Sequence, residues 1–221
     1  MMELLGQHLK TVGTSKLFRK HASIFFQGEV PRYGFLVTDG IVKSYTTNTE
    51  GDVAIIHLFS KGSIIPSVWV NNQMSTSMSN YEALSDVRGV AFTKQDLYAA
   101  LESNREYEKE YRENLSKTQA ALLLRITGLI QNRAIEKICY ALYYLTFRYG
   151  IEKQPGIYEI NLKLTQEMLA QLIGQTREST AKNLKLLEQS GIVSYTSSTY
   201  FVNKQKLEHH LGDDTFKNLK P

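Results

Sequence analysis

The first third of the chain alternates short β-rich runs with turn residues. Runs of β-branched and aromatic residues cover 33–37, 41–47 and 53–59. Four glycines at intervals of 12, 11 and 11 residues mark the turns: Gly28, Gly40, Gly51 and Gly62. Short strands at this spacing are typical of an antiparallel sandwich or barrel. A last strand is predicted over 81–92, and a helix over 94–101 with Thr93 as its N-cap.

From about Asn104 the apolar pattern becomes helical, with a repeat of seven residues. One apolar row recurs at this spacing: Leu115, Leu122 and Leu129. A weaker second row accompanies it: Tyr111, Thr118 and Arg125. A neighbouring face carries Leu123, Ile126 and Ile130. We therefore predict a helix of about 25 residues that packs one face on the β-domain and uses the two rows to form a dimer. The alternative is a helix buried on both sides within one chain.

The C-terminal third predicts a helix-turn-helix followed by a wing. A helix over 134–149 and a strand over 157–160 come first. Thr165 then caps a helix over 166–173, Gly174 breaks it, and Gln175-Thr176 open a second helix that runs to about Ser190. Two strands, over 192–196 and 199–203, form the hairpin of the wing. Leu169, Leu172 and Ile173 of the first helix are expected to pack on three residues of the second: Leu184, Leu186 and Leu187.

The second of these helices carries the residue types that read DNA. Arg177 and Glu178 lie at its N-terminal end, the part that enters the major groove. Arginine can pair with guanine and a carboxylate can accept from cytosine, whereas Lys182 can read a base or hold a phosphate. The predicted contacts with double-stranded DNA are Thr165, Gln175, Thr176, Arg177, Glu178, Ser179, Lys182, Lys185, Lys204 and Lys206. The alternative is a helical hairpin with ordinary surface charges.

Charge and composition agree with this interpretation and exclude other classes. The 221 residues carry a net charge of +4. Basic residues outnumber acidic ones between Lys163 and Lys206. No apolar run reaches the roughly 18–20 residues of a membrane span, and no signal peptide is recognised. Cys139 has no partner for a disulfide or a cysteine zinc site within the chain, so we expect a cytoplasmic protein without a membrane contact. A cupin-type metalloenzyme is disfavoured because the β-region lacks two histidines one residue apart.

The segments 164–180 and 184–193 resemble the winged helix of the cyclic-AMP receptor/fumarate-nitrate regulator family of bacterial transcription factors. The resemblance covers nearly the whole chain in order. It implies an α+β fold with an N-terminal jelly-roll β-barrel of the cyclic-nucleotide-binding type, a long dimerisation helix and a C-terminal winged helix-turn-helix. The expected bounds are residues 1–103, 104–131 and 132–221. It also implies that Arg177 and Glu178 read bases, and that Lys182 stands where the family has a second base-reading arginine.

The sensor half departs from the family members that bind cyclic nucleotides. Pro66-Ser67 replace the Gly-Glu pair whose glutamate would hold a ribose hydroxyl, and Ser77 replaces the arginine that would pair with the cyclic phosphate. Thr118 matches the threonine that meets the base. The positions of the expected effector pocket are therefore Ser67, Ser77 and Thr118, and the polar segment 68–80 is the expected lid.

No cofactor is predicted. A single cysteine cannot ligate an iron–sulfur cluster, and haem ligation by His21 or His57 has no further support in the sequence. The expected function is a homodimeric, sequence-specific transcription regulator that binds an inverted-repeat operator, with RNA polymerase as a further candidate partner. Its effector is either absent or of another chemical class. The alternative is a ligand-binding module that signals through protein contacts and carries a vestigial DNA-binding domain.

Overall fold

The computed structural model describes residues 2–212. These residues divide along the chain into two compact units, with the boundary between Thr118 and Gln119. The boundary falls inside the long helix Arg105–Leu129. The expected domain bounds, after residues 103 and 131, fall instead close to the two ends of this helix. They stay a prediction about the functional parts of the chain.

The first unit begins with helix α1 (Leu4–Val12) and contains two four-stranded antiparallel sheets. The strands are β1 Thr14–Phe18, β2 Ser23–Phe25, β3 Gly34–Asp39, β4 Val42–Thr47, β5 Val53–Phe59, β6 Ile64–Ile65, β7 Asn80–Ala83 and β8 Val87–Phe92. Their orders are β1-β8-β3-β6 and β2-β7-β4-β5. Most strands that pair in these two sheets are far apart along the chain. This is the strand arrangement of a jelly roll, which confirms the predicted fold of this half. The polar segment 68–80, the expected lid, overlaps at its start with a single helical turn, α2 (Ser67–Val70).

The single strand predicted over 81–92 is instead two strands, β7 and β8, which belong to different sheets. Side chains at the bend between them bind neighbouring segments. Ser85 Oγ accepts the Ile41 N–H at 3.0 Å, and the Asp86 carboxylate accepts the Lys20 N–H at 3.0 Å. These contacts turn the chain from one sheet to the other, which the β-rich composition alone did not indicate.

Aromatic rings occupy the core shared by the two sheets. The Tyr81 ring lies 5.8 Å from that of Phe25 and 5.7 Å from that of Phe59, between ring centroids. Phe35 and Val37 are fully buried in the same cluster. Burial raises the pKa of the Tyr81 hydroxyl to about 12. The barrel interior is therefore packed with this chain's own side chains.

Two further helices follow the barrel, α3 Lys94–Ser103 and α4 Arg105–Leu129. Leu5 and Leu9 of α1 lie in one buried cluster with Tyr111 of α4. The Glu110 carboxylate accepts the N–H groups of Leu4 at 3.2 Å and Leu5 at 3.0 Å. It thus satisfies donors that the first turn of α1 cannot pair within the helix, and its charge suits a helix N-terminus. Helix α4 is fixed to this unit from its first turns.

The second unit contains the C-terminal part of α4 and a winged helix-turn-helix. Its further elements are α5 Ala134–Tyr149, β9 Gly150–Gln154, β10 Ile157–Ile160, α6 Gln166–Ile173, α7 Arg177–Gln189, β11 Val193–Tyr195, β12 Tyr200–Asn203 and α8 Lys204–Leu211. The strands form one antiparallel sheet in the order β11-β12-β10-β9. Helix α5 packs against α6, α7 and α8. The predicted order of helix, glycine turn, helix and hairpin is confirmed, whereas β9 and α8 were not predicted.

Candidate nucleic-acid interface and sensor pocket

Local signals in the sequence set the geometry of the helix-turn-helix. Thr165 Oγ1 accepts the Met168 N–H at 3.1 Å and caps α6. Gly174 ends α6 with φ +62° and ψ 45°, a left-handed conformation that favours glycine. Thr176 Oγ1 accepts the Ser179 N–H at 3.2 Å and caps α7. Both threonine caps have the role that the sequence predicted for them.

Most of the side chains predicted to pack between α6 and α7 are buried. Leu169, Leu172 and Ile173 of α6 are buried, as are Leu184 and Leu187 of α7. Leu186 is the exception, because its side chain is about half exposed. The prediction that Leu186 packs between the helices was therefore wrong: it lies on the outward side of α7.

The outward face of α7 carries the predicted base-reading residues. Arg177, Glu178, Lys182 and Lys185 are all exposed. No ion pair engages Arg177, Glu178 or Lys182 anywhere in residues 2–212. Their charged groups can therefore reach a ligand without first breaking a contact within the chain. Thr165 and Thr176 are exposed beside them, and Gln175 and Ser179 are half-buried.

Lys204 and Lys206 differ from each other more than the sequence indicated. Lys204 is the first residue of α8, largely buried, and its Nζ lies 3.7 Å from Glu208 Oε1. The same oxygen accepts the Tyr143 hydroxyl at 2.9 Å. Lys206 is exposed, and its Nζ lies 2.7 Å from the position that a Cβ on Gly191 would take. Lys206 therefore remains available at the surface beyond the end of α7, whereas Lys204 has a partner on its own helix.

Each of the three residues of the expected effector pocket takes part in a local hydrogen bond. The Ser67 carbonyl accepts the Asn71 side-chain amide at 2.7 Å within α2. Ser77 is buried, and its hydroxyl donates to the Ser79 carbonyl at 2.8 Å. The Thr118 hydroxyl donates to the Asn114 carbonyl at 3.0 Å along α4. None of the hydrogen bonds described for residues 2–212 joins Ser67, Ser77 and Thr118 to one another.

The predicted dimer rows are partly used within the chain. Tyr111 is buried, and its hydroxyl donates to Asn71 Oδ1 at 3.0 Å. Arg125 is also buried and donates to the Leu172 carbonyl at 2.8 Å. Leu115 packs against the cluster that contains Tyr111. The side chains of Tyr111 and Arg125 are therefore covered within one chain, and that of Leu115 is partly covered.

The most exposed apolar surface at the C-terminal end of α4 lies beside the predicted leucine row, and its last residue, Ile130, directly follows the helix. It comprises Leu123, Ile126 and Ile130, whose exposed fractions are 57%, 56% and 70%. The spacing of 3, 4 and 7 residues keeps the three on one side of the helix. We call this surface the α4 stripe. Leu129 is exposed beside it.

Cys139 and several histidines were the remaining candidates for metal or cofactor chemistry in the sequence. Cys139 is buried, and its burial raises the pKa of the thiol to about 12. Within residues 2–212 no group of three or more His, Cys, Asp or Glu side chains could hold a metal ion. His57 is buried against Phe59, and His209 and His210 are exposed near the end of α8. In the same described part of the chain, no helix is long and apolar enough to cross a membrane.

Family models match both halves of the chain. The model for the cyclic nucleotide-binding domain covers residues 15–104, and the model for the Crp-like helix-turn-helix domain covers residues 136–210. These matches agree with the jelly roll of the first unit and the winged helix of the second.

Two curated relatives match over most of this chain and most of their own length. The anaerobic regulatory protein of Bacillus subtilis is 23% identical over 194 residues, 88% of this chain and 81% of that protein. The listeriolysin regulatory protein of Listeria monocytogenes is 25% identical over 203 residues, 90% of this chain and 86% of that protein. The solved structure of a cyclic nucleotide-binding domain containing protein from Listeria monocytogenes matches with a TM-score of 0.79 at 16% identity, covering 92% of this chain and 97% of the other.

A jelly roll of the cyclic-nucleotide-binding type, joined by a long helix to a winged helix-turn-helix, defines the class of transcription regulators that carry a sensor-type domain and a DNA-binding domain. Within that class the chain belongs to the Crp/Fnr family, as the resemblance in the helix-turn-helix segment indicated.

Proposed function

We propose that the chain acts as a homodimer that binds an inverted-repeat operator, with α7 of each copy in the major groove. The observation that carries the proposal is the capped, exposed start of α7, where Arg177 and Glu178 have no ion pair in the described chain. A capped N-terminus that presents a planar donor fork and a carboxylate is the arrangement that reads base edges. We also propose that the protein binds this DNA in the cytoplasm.

The roles of the remaining contacts follow from chemistry and exposure. Arg177 pairs with guanine O6 and N7, and Glu178 accepts from cytosine N4. Lys182 and Lys185 lie on the same exposed side of α7 and supply cations, without the planar fork that fixes a base. Thr165, Gln175, Thr176, Ser179 and Lys206 serve the phosphate backbone around this helix. Lys204 is the least supported of the predicted DNA contacts, because its ammonium group is paired with Glu208.

The dimer is proposed to form through the α4 stripe. Three large apolar side chains on one side of an exposed helix would leave unfavourable apolar surface in water. A parallel pair of α4 helices would cover the stripe of each copy with that of the other. Contacts elsewhere on α4 support this choice, since Tyr111 and Arg125 are engaged within their own chain.

The sensor half is proposed to bind neither cyclic AMP nor cyclic GMP. Ser67 and Ser77 supply no charge for the ribose and the phosphate, and an uncompensated buried phosphate is prohibitive. The aromatic cluster around Tyr81 also occupies the barrel core. Binding to DNA without an effector is the simpler outcome, and a ligand of another class under the segment 68–80 is the alternative. RNA polymerase remains a candidate partner.

Selection from random double-stranded DNA tests the proposed function directly. The purified protein, without added ligand, should enrich an inverted repeat whose half-site centres lie about one helical turn apart. Repeating the selection with the small-molecule fraction of a cell extract separates the two effector hypotheses. Enrichment only with the extract would replace effector-independent binding by ligand control. Failure to enrich any sequence under both conditions would contradict the proposed function.

A further inference from the structure

A buried guanidinium joins the C-terminal part of α4 to the helix-turn-helix inside the second unit. Arg125 is 8% exposed, and its Nη2 donates to the Leu172 carbonyl at 2.8 Å. The guanidinium carbon lies 5.5 Å from the centre of the Tyr144 ring. Tyr144 hydrogen-bonds both Arg125 and Tyr149. Arg125 is therefore part of a buried polar network that links α4, α5 and α6.

The Leu172 carbonyl is an informative acceptor because of its place in the motif. It lies in the last turn of α6, where carbonyl groups lack partners within the helix and the helix dipole favours a cation. Leu172 is followed by the left-handed turn at Gly174 and by the cap of α7 at Thr176. The atom that Arg125 binds is thus only five residues before Arg177.

Close packing between α4 and α5 supports this link. A Cβ on Gly128 would lie only 2.6 Å from the Cβ of Tyr140, so the two helices touch backbone to side chain at this glycine. Helix α5 in turn packs on α6 and α7. On its outward side, the same part of α4 carries Leu123 and Ile126 of the α4 stripe.

We infer that Arg125 is a positioning residue for DNA recognition: it fixes the recognition helix relative to the α4 stripe and so sets the spacing between the half-sites of the operator. The inference rests on the proposed function. In a dimer formed through the stripe, the separation of the two α7 helices depends on how α6 and α7 are held against α4. Without the guanidinium the Leu172 carbonyl loses its donor and α6 can tilt. Each α7 would still read its own half-site, but their separation would vary.

The test is a library of inverted repeats that differ in half-site spacing by single base pairs. It is applied to the wild type, Arg125→Met, Arg125→Lys and the control Arg112→Met. Arg112 lies on the same helix, largely exposed, in a surface ion pair with Glu108. Wild type and Arg112→Met should select one spacing. Arg125→Met should bind that spacing about tenfold more weakly and accept neighbouring spacings almost equally. Arg125→Lys, which keeps one donor and the charge, should recover part of the selectivity.

Two readouts separate positioning from a loss of fold or of base reading. Preference at the base pair read by Arg177 should be unchanged in Arg125→Met, and its mass in solution should remain that of the wild type. Amide exchange at Gly174 and Gln175, whose N–H groups donate to the Ala170 carbonyl, should become faster without DNA.

The outcomes distinguish the inference from the proposal beneath it. If Arg125→Met keeps the spacing selectivity of the wild type, the inference is wrong and the proposed function stands. If Arg125→Met does not fold, Arg125→Lys decides: unchanged spacing selectivity in that variant overturns the inference, and relaxed selectivity supports it. If the wild type selects no operator at all, the proposed function fails and the inference fails with it.

Discussion

A lysine in place of Ile126 should dissociate the proposed dimer. Complete burial of a Leu or Ile side chain is worth about 1.5–3 kcal/mol. Because the α4 stripe is 56–70% exposed in one chain, covering it contributes roughly 1 kcal/mol for each side chain. Two copies of Leu123, Ile126 and Ile130 then contribute roughly 6 kcal/mol before the costs of association. Ile126→Lys removes two of these contributions and brings two ammonium groups together, which should weaken the dimer about 100-fold.

Sedimentation over a broad range of concentrations measures this effect. The matched control is Ile151→Lys, because Ile151 is an exposed isoleucine of the same unit that lies on β9 and not on α4. The control should keep the dimer. Leu122→Lys compares the leucine row predicted from the sequence with the α4 stripe. If Ile126→Lys stays dimeric at every concentration while Leu122→Lys becomes monomeric, the stripe is not the interface and the reasoning from exposure is refuted.

Three further predictions concern the sensor half, the phosphate contacts and the thiol. Calorimetry with cyclic AMP or cyclic GMP should show no binding below about millimolar concentration, since a phosphate would lack its cation; a micromolar dissociation constant would contradict this. Lys206→Ala should weaken all DNA alike and lower the salt slope by about one unit per half-site. Lys204→Ala should leave the slope unchanged and lower the melting temperature, because Lys204 pairs with Glu208; equal slopes for both variants would show that the distinction is wrong. Burial raises the pKa of Cys139 to about 12, which favours the neutral thiol. At about pH 8, iodoacetamide should therefore label Cys139 slowly in the native protein and rapidly in denaturant, as followed by mass spectrometry, and rapid native labelling would count against the buried thiol.

The helix-turn-helix was predictable because its signals are local. Thr165 and Thr176 cap helices through a donor three residues away, and Gly174 ends a helix through its own backbone angle. The same holds for Thr93, which accepts the Asp96 N–H at 3.1 Å in the predicted cap of α3. Each depends on a few neighbouring residues, so one sequence suffices.

Long-range pairing was harder to predict from one sequence. The bend that separates β7 from β8 depends on contacts with Ile41 and Lys20, more than 40 residues away. The seven-residue spacing identified a long helix, but it could not say which side faces the chain's own core. Arg125 was therefore assigned to the dimer, whereas its guanidinium binds a carbonyl of α6. Helix α8 had a usable signal that was missed, since Asn203 accepts the Lys206 N–H at 3.0 Å as an N-cap.

The most direct test of the account is the binding of Arg177→Ala to operators with single base-pair changes, measured at several salt concentrations. If Arg177 reads a guanine in each half-site, the variant should lose roughly 1–3 kcal/mol per half-site and lose its preference at that base pair. Its salt slope should change little compared with that of Lys206→Ala. If Arg177→Ala instead weakens every sequence equally and lowers the salt slope, Arg177 holds a phosphate and α7 does not read bases as proposed.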